Sequence, residues 1–209
     1  SYSAADGLAA ALVSAIAFDQ SGRVWAGAAP DRATGRAGGL FVLEDGAWRE
    51  VAVNRTRSGS SGPAAQPLGD WITALAVDAG GQLWVGARSS PLAKPGFVVG
   101  GVSARAADVP EDTAEQASGA AWTIYTPGDG PVSDYVTAVA GDADGRQWIG
   151  TQYGLSMFDG EKWTTYTTAN GLPNNYVTGL AADAAGGLWV ATWGGGATYF
   201  DGETFISTT

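Results

Sequence analysis

The chain has 209 residues, 11 Lys and Arg against 21 Asp and Glu for a net charge of −10, and neither cysteine nor histidine. Lack of Cys excludes disulfides and thiolate chemistry, and lack of His removes the commonest general base and the usual catalytic triad. The scattered cations exclude nucleic acid as a partner, no apolar run reaches the ~20 residues of a membrane span, and nine Trp with 32 Gly describe a turn-rich domain with a real core.

In chain order, residues 1–11 read as the tail of a preceding repeat. Ser1-Tyr-Ser-Ala-Ala-Asp-Gly-Leu8 aligns with Thr165-Tyr-Thr-Thr-Ala-Asn-Gly-Leu172, so Ser1–Ser3 is expected to end a strand whose own repeat is not in the sequence. No signal peptide is read at the start. One block then recurs four times. It runs Leu12-Val-Ser-Ala-Ile-Ala-Phe-Asp-Gln-Ser-Gly-Arg-Val-Trp25 and returns at Trp71–Trp84, Tyr135–Trp148 and Tyr176–Trp189. Each copy has an alternating apolar run, an Asp-x-x-Gly turn and a Trp six residues after the Asp. Recurrence of this kind means stacked supersecondary units.

The third copy shows the unit best. Strand a is expected at Tyr135–Ala140, strand b at Gln147–Thr151, strand c at Leu155–Phe158 and strand d at Lys162–Thr167. Asp142-Ala-Asp-Gly145 turns a into b. Asp159-Gly160 turns c into d, and Asp-Gly favours the type I′ hairpin because that turn needs positive φ. Four short antiparallel strands per unit make one propeller blade, and the chain is read as all-β with four blades. Blade one covers 12–70, blade two 71–134 with a long insertion at 87–121, blade three 135–175 and blade four 176–209. Successive Trp spacings of 59, 64 and 41 residues show that the first two units carry insertions. They fall at about 28–38, 52–70 and 87–121, mostly on one end of the blades, where long loops on a rigid scaffold carry function or drift neutrally. Four blades with a leftover strand suggest part of a larger ring of about seven blades, or a ring completed by partners.

The repeat, best seen in Gly171-Leu-Pro-Asn-Asn-Tyr-Val-Thr-Gly-Leu-Ala-Ala-Asp-Ala-Ala-Gly-Gly-Leu-Trp189 and Phe200-Asp-Gly202, resembles the two-component regulator propeller repeat. The resemblance implies a bacterial, extracytoplasmic sensor region, periplasmic or extracellular, of a kind that precedes a membrane span and signalling module and often senses sugars.

Candidate chemistry divides by position. Trp25, Trp84, Trp148 and Trp189 on strand b, like Trp48, Trp122, Trp163 and Phe205 on the outer strand, are expected to pack between blades. Asp19, Asp78, Asp142 and Asp183 are expected to shape turns by accepting backbone N–H bonds, because the ligand set of a calcium loop is missing. No metal or other cofactor is expected. A second aromatic set, Trp71, Tyr135 and Tyr176 just before strand a and Tyr153 and Trp193 just after strand b, lies at the insertion end. Those rings could bind a ligand, or seal the blade tops. Asn54-Arg-Thr56 is a glycosylation sequon. The sequence therefore reads as a non-enzymatic ligand-binding or sensing module whose partners are other blades or protein subunits, with carbohydrate as a candidate ligand. Two alternatives stand beside it: a structural subunit of a larger extracellular assembly, and a propeller-based polysaccharide lyase.

Overall fold

The computed structural model describes residues 8, 12–31, 33–51, 53, 62–64, 66–69, 71–88, 100–106 and 122–207. Ser1–Ser3, the Asn54 sequon, most of the 87–121 insertion and Thr208–Thr209 lie outside them. Among the described residues the only helical element is one 3-10 turn at Thr168–Asn170.

Blade one comprises β1 (Leu12–Phe18), β2 (Val24–Ala29), β3 (Gly39–Glu44) and β4 (Ala47–Val51). A short β5 (Gly62–Ala64) precedes blade two, which comprises β6 (Ile72–Val77), β7 (Gln82–Ala87), β8 (Gly101–Ala106) and β9 (Trp122–Tyr125). Blade three is β10 (Val136–Gly141), β11 (Gln147–Thr151), β12 (Gly154–Phe158) and β13 (Trp163–Tyr166). Blade four is β14 (Val177–Ala182), β15 (Leu188–Thr192), β16 (Gly196–Phe200) and β17 (Phe205–Ser207). Each blade is an antiparallel meander in sequence order. The chain is thus an all-β array of propeller blades.

Two departures from the sequence reading concern blade two. Its strand c, which has no Asp-Gly turn to mark it, is cut from the middle of the 87–121 insertion as β8. The d–a connection of blade one, read as loop, contributes β5. It pairs antiparallel with β9 as a fifth, outermost strand of the second blade. A third departure concerns hairpin chemistry. Asp45 and Gly46 both have positive φ, 51° and 80°, as a two-residue type I′ loop requires. In blade three the loop is four residues long, only Gly160 has positive φ, and the Asp159 carboxylate closes it by accepting the Glu161 and Lys162 N–H groups. Blade four repeats that arrangement with Asp201.

The blades stack in order, β1 on β6, β6 on β10 and β10 on β14, and no comparable packing joins β14 to β1. The same junction is built each time. A bulge in strand a, at Ser14, Thr73 and Thr137, turns a hydroxyl toward the next blade. That hydroxyl donates to the carbonyl of the next strand a: Ser14 to Ile72, Thr73 to Val136 and Thr137 to Val177. Those same residues are the knobs of the junction. Ile72, Val136 and Val177 seat against Gly27, Gly86 and Gly150 of the preceding strand b. A Cβ built on Gly86 or Gly150 would lie 2.6 Å from the valine methyl, so glycine is needed for close approach rather than for its φ. Trp25, Trp84 and Trp148 fill the outer part of each junction and are buried. Trp84 lies among Tyr125, Phe158 and Trp163, and Trp148 between Tyr166 and Phe200.

The fourth Trp departs from the expectation. Trp189 is 43% exposed, because no described residue of a following blade covers it. At the other end of the array Val13, equivalent to the buried knobs Ile72, Val136 and Val177, is 43% exposed, and Ile16, equivalent to the half-buried Leu75, Val139 and Leu180, is 58% exposed. Leu8 packs on Ala26, Ala28 and Phe41 of that blade.

Candidate functional site

The spacing Asp-x5-Trp is explained by one carboxylate doing two jobs. In Asp142, Oδ1 accepts the backbone N–H groups of Asp144 (3.0 Å) and Arg146 (2.9 Å), which forms the turn. Its Oδ2 accepts Arg146 Nε and the Trp148 indole N–H, both at 2.7 Å, which ties the turn to the inter-blade core. Asp19 repeats the pattern with Ser21, Arg23 and Trp25, and Asp78 with Gln82 and Trp84. Burial alone would raise the Asp19 carboxyl, but hydrogen bonds from Ser21, Trp25 and Arg23 outweigh it and hold the pKa at about 2. In Asp183 the second oxygen goes instead to the Tyr199 hydroxyl at 2.7 Å. These four carboxylates are structural clamps. Among the described residues no group of three or more His, Cys, Asp or Glu could hold a metal ion.

The second aromatic set lies at the opposite end of strands a and b. The residue before strand a and the residue after strand b pair through the backbone in each of the last three blades. Arg88 N–H donates to Trp71 O, Gln152 to Tyr135 O and Trp193 to Tyr176 O, at 3.1, 3.3 and 2.8 Å. Strand register therefore brings all six side chains to one end of the array. Four of the five predicted aromatics form a continuous row across three blades. Trp193 stacks on Tyr176 (6.1 Å, 23°), and Tyr176 meets Tyr135 edge-on (6.4 Å, 89°). The Arg88 guanidinium lies between Tyr135, at 4.7 Å from the ring centre, and Trp71, at 3.3 Å, and also donates to the Tyr135 hydroxyl. Tyr153 stands next to the row and makes no ring contact with it among the described residues. It is one residue beyond the paired position, which Gln152 occupies.

Arg88 is the member that the sequence reading missed. The sequence carries the signal, since Arg88 aligns with Gln152 and Trp193 as the first residue after strand b. The inner rings of the row are half-buried by one another. Trp193 and Tyr153, 69% and 62% exposed, offer open faces to solvent. The first inserted loop reaches the same end as a small hairpin closed by an Asp31–Arg36 bridge, with Asp31 accepting from Ala33 N–H and the Thr34 hydroxyl. The result is a rigid strip of π-faces with one embedded cation.

Residues 171–194, which lead into blade four and cover its first hairpin, match the family model described as two component regulator propeller. That segment of the chain thus matches the family that the repeat resembles. No curated protein matches it. Among solved structures it is similar to the extracellular domain of the hybrid two component system BT3049 from B. thetaiotaomicron, with TM-score 0.50 and 17% identity over 97% of this chain and 29% of that one. It is similar to PorZ, a surface component of the type-IX secretion system of Porphyromonas gingivalis, with TM-score 0.57 and 18% identity over 94% and 27% of the two chains. A gluconolactonase from Xanthomonas campestris, XC5397, aligns with TM-score 0.55 and 16% identity over 91% and 59%. At these identities the likeness establishes the propeller fold. The chain spans less than a third of the length of the first two.

Proposed function

We propose that the chain is a non-enzymatic, extracytoplasmic sensing propeller, and that its ligand binds on the aromatic strip at the b–c end of the blades. The observation that carries this reading is the continuous row Trp71–Arg88–Tyr135–Tyr176–Trp193, with Trp193 and Tyr153 exposed beside it. Large apolar rings held rigid and open to water are costly on a surface and are typical of binding anchors. The repeat match and the extracellular and surface-exposed neighbours support a sensing role outside the cytoplasm. Carbohydrate is the ligand class of choice, because the flat C–H faces of a sugar ring stack on exposed indole and phenol rings.

A glycan array probed with the full chain, followed by titration calorimetry on the hits, tests this reading. Trp193→Ala and Tyr153→Ala should each weaken binding at least tenfold and leave the circular dichroism unchanged. An array without hits, or affinity unaltered in the double variant, would refute it. A protein-interaction subunit is the second reading, favoured by the exposed large apolar side chains Leu12, Ile16 and Phe18 on β1 and Trp189 on β15.

A further inference from the structure

The dipeptide Asp-Gly turns strand c into strand d in blades one, three and four, at Asp45-Gly46, Asp159-Gly160 and Asp201-Gly202. The same dipeptide is prone to a spontaneous backbone rearrangement, because glycine puts no side chain in the way as its nitrogen turns toward the preceding carboxyl. In sequence the three turns are equal. The structure gives them different fates.

The Asp159 carboxylate is held. Its Oδ1 accepts the N–H groups of Glu161 at 3.0 Å and Lys162 at 2.9 Å, and the Asp159 N–H donates to Lys162 O at 3.3 Å. Asp201 is held the same way by Glu203 at 2.9 Å and Thr204 at 2.8 Å, with its own N–H on Thr204 O at 3.2 Å. The bonds from Lys162 and Glu161, and those from Thr204 and Glu203, hold the two carboxyls below the ordinary range, which depletes the protonated form that reacts. Asp45 is different. Its loop has two residues between the paired Glu44 and Ala47, and both are exposed. Among the described residues its carboxylate accepts no hydrogen bond, and Arg23 and Arg49 pair with Glu44 beside it. Asp45 is the one described non-glycine residue with positive φ, 51°, so the backbone is strained at the reacting residue. A Cβ on Gly46 would meet no atom within 4 Å, so nothing packs against the turn. Other glycine dipeptides are closed by their surroundings. Gly145 N–H donates to Asp142 O at 3.2 Å, and Asp144 pairs with Arg146 at 2.9 Å. Asn170 Oδ1 accepts the Thr167 N–H at 3.0 Å, and Gly171 N–H donates to Thr168 O at 3.4 Å. Gly130, after Asp129, packs on the Thr126 backbone, where a Cβ would lie 2.7 Å from the carbonyl oxygen. Asp6-Gly7 lies outside the described residues.

We propose that Asp45-Gly46 is a site of spontaneous isoaspartate formation in the folded protein, and that the equivalent turns of blades three and four are protected by their carboxylate-to-backbone bonds. The Gly46 nitrogen attacks the carbonyl carbon of the protonated Asp45 carboxyl. A C–N bond forms, the carboxyl hydroxyl leaves with the amide proton as water, and a five-membered succinimide results. Water then adds to one of the two ring carbonyls and breaks its bond to nitrogen. Opening at the main-chain carbonyl leaves the chain running through the side-chain carbon, as isoaspartate with a free α-carboxylate, and opening at the other restores aspartate. Water is the only co-reactant. The extra main-chain methylene lengthens a two-residue loop that is set by the Glu44–Ala47 pair, so the β3–β4 hairpin loosens at that end. The turn lies at the end of the blades opposite the aromatic strip, and the inference stands apart from the ligand reading.

Ageing of the full chain in mildly acidic buffer tests this, at a temperature that leaves the circular dichroism spectrum unchanged. Proteolytic peptides are then separated, and the isoaspartate in each is counted by enzymatic methyl transfer from labelled S-adenosylmethionine to the free α-carboxylate. In the folded chain the Asp45 peptide should gain isoaspartate at least tenfold faster than the Asp159 and Asp201 peptides. The same ageing in urea removes the protecting bonds and should bring the three rates within about threefold of one another. Asp45→Glu keeps the charge but cannot close the five-membered ring, and should abolish the signal from that peptide. Equal rates at the three turns of the folded chain, a tenfold difference that persists in urea, or a signal that survives Asp45→Glu overturns the proposal.

Discussion

Trp148 and Trp189 occupy the same position of the repeat, so the molecule contains its own control for what an inter-blade tryptophan contributes. Trp148 is buried, packs against Tyr166 and Phe200 with ring centres 5.9 and 5.3 Å away, and donates its indole N–H to Asp142 at 2.7 Å. Replacing it with alanine removes a ring that buries roughly 150–250 Å² and leaves a cavity closed on both sides. At about 25 cal/mol per Å² the transfer loss is roughly 4–6 kcal/mol, in line with the 3–5 kcal/mol typical of emptying a buried aromatic site. Trp189 is 43% exposed, has lost the Asp183 bond to Tyr199, and touches one ring. Its removal forfeits about half the area and opens no enclosed cavity, so about 2–3 kcal/mol is expected. Urea unfolding followed by far-UV circular dichroism measures both variants against the parent. Equal losses at the two positions would refute the assignment of this residue to inter-blade packing. Trp148→Phe refines the comparison: it keeps a six-membered ring in the site but removes the pyrrole part of the indole with the donor to Asp142, for a cost of about 1–3 kcal/mol.

Three further outcomes follow from the junctions and clamps. Gly150→Ala places a methyl 2.6 Å from Val177 and should lower the urea midpoint by the equivalent of about 1–3 kcal/mol, whereas Gly22→Ala meets no neighbouring atom and should report only the strain of its positive φ. Asp19 has a folded-state pKa of about 2 against 3.8 for the free group, so its stabilisation is full above pH 4 and is lost as pH falls toward 2. That contribution is on the order of 2 kcal/mol, and Asp19→Asn should flatten this part of the acid-denaturation profile. The Tyr199 hydroxyl bond, with backbone bonds from Gly187 and Ala185, holds the Asp183 carboxyl below its ordinary range. Tyr199→Phe should therefore raise the Asp183 titration midpoint in a carboxylate NMR titration, and an unmoved midpoint would show that the backbone bonds suffice.

The repeat was legible because its local chemistry is strict. Strand b of blade three falls on Gln147–Thr151 in sequence and structure alike, since an Asp-x-x-Gly turn and a glycine bracket it. Strand a begins one residue later than expected, at Val136, because Tyr135 uses its backbone to pair with Gln152 rather than to extend the ladder. What escaped the sequence depends on contacts between units. The exposure of Trp189 depends on packing outside its own blade, and its place in the repeat, shared with the buried Trp148, does not reveal it. The pairing of β5 with β9 joins segments far apart in sequence, and Pro63 within so short a run argues against a strand. The aromatic row was half legible: alternation and register placed Trp71, Tyr135, Tyr176 and Trp193 at one end, but the ring contacts that join them cross blade boundaries.

The pairing of β5 has a consequence for how the array comes apart. In a linear array each unit is held mainly by its neighbours, so the ends open first and opening spreads inward. The strand that leaves blade one and binds the outer edge of blade two makes the release of either blade cost hydrogen bonds of the other. Blades one and two therefore form a single cooperative unit, whereas among the described residues blade four packs mainly on blade three. Amide protons of β14–β16 should exchange through sub-global opening, ahead of those in β2 and β7, and the exchange-protected remnant of the partly unfolded chain should be its first half.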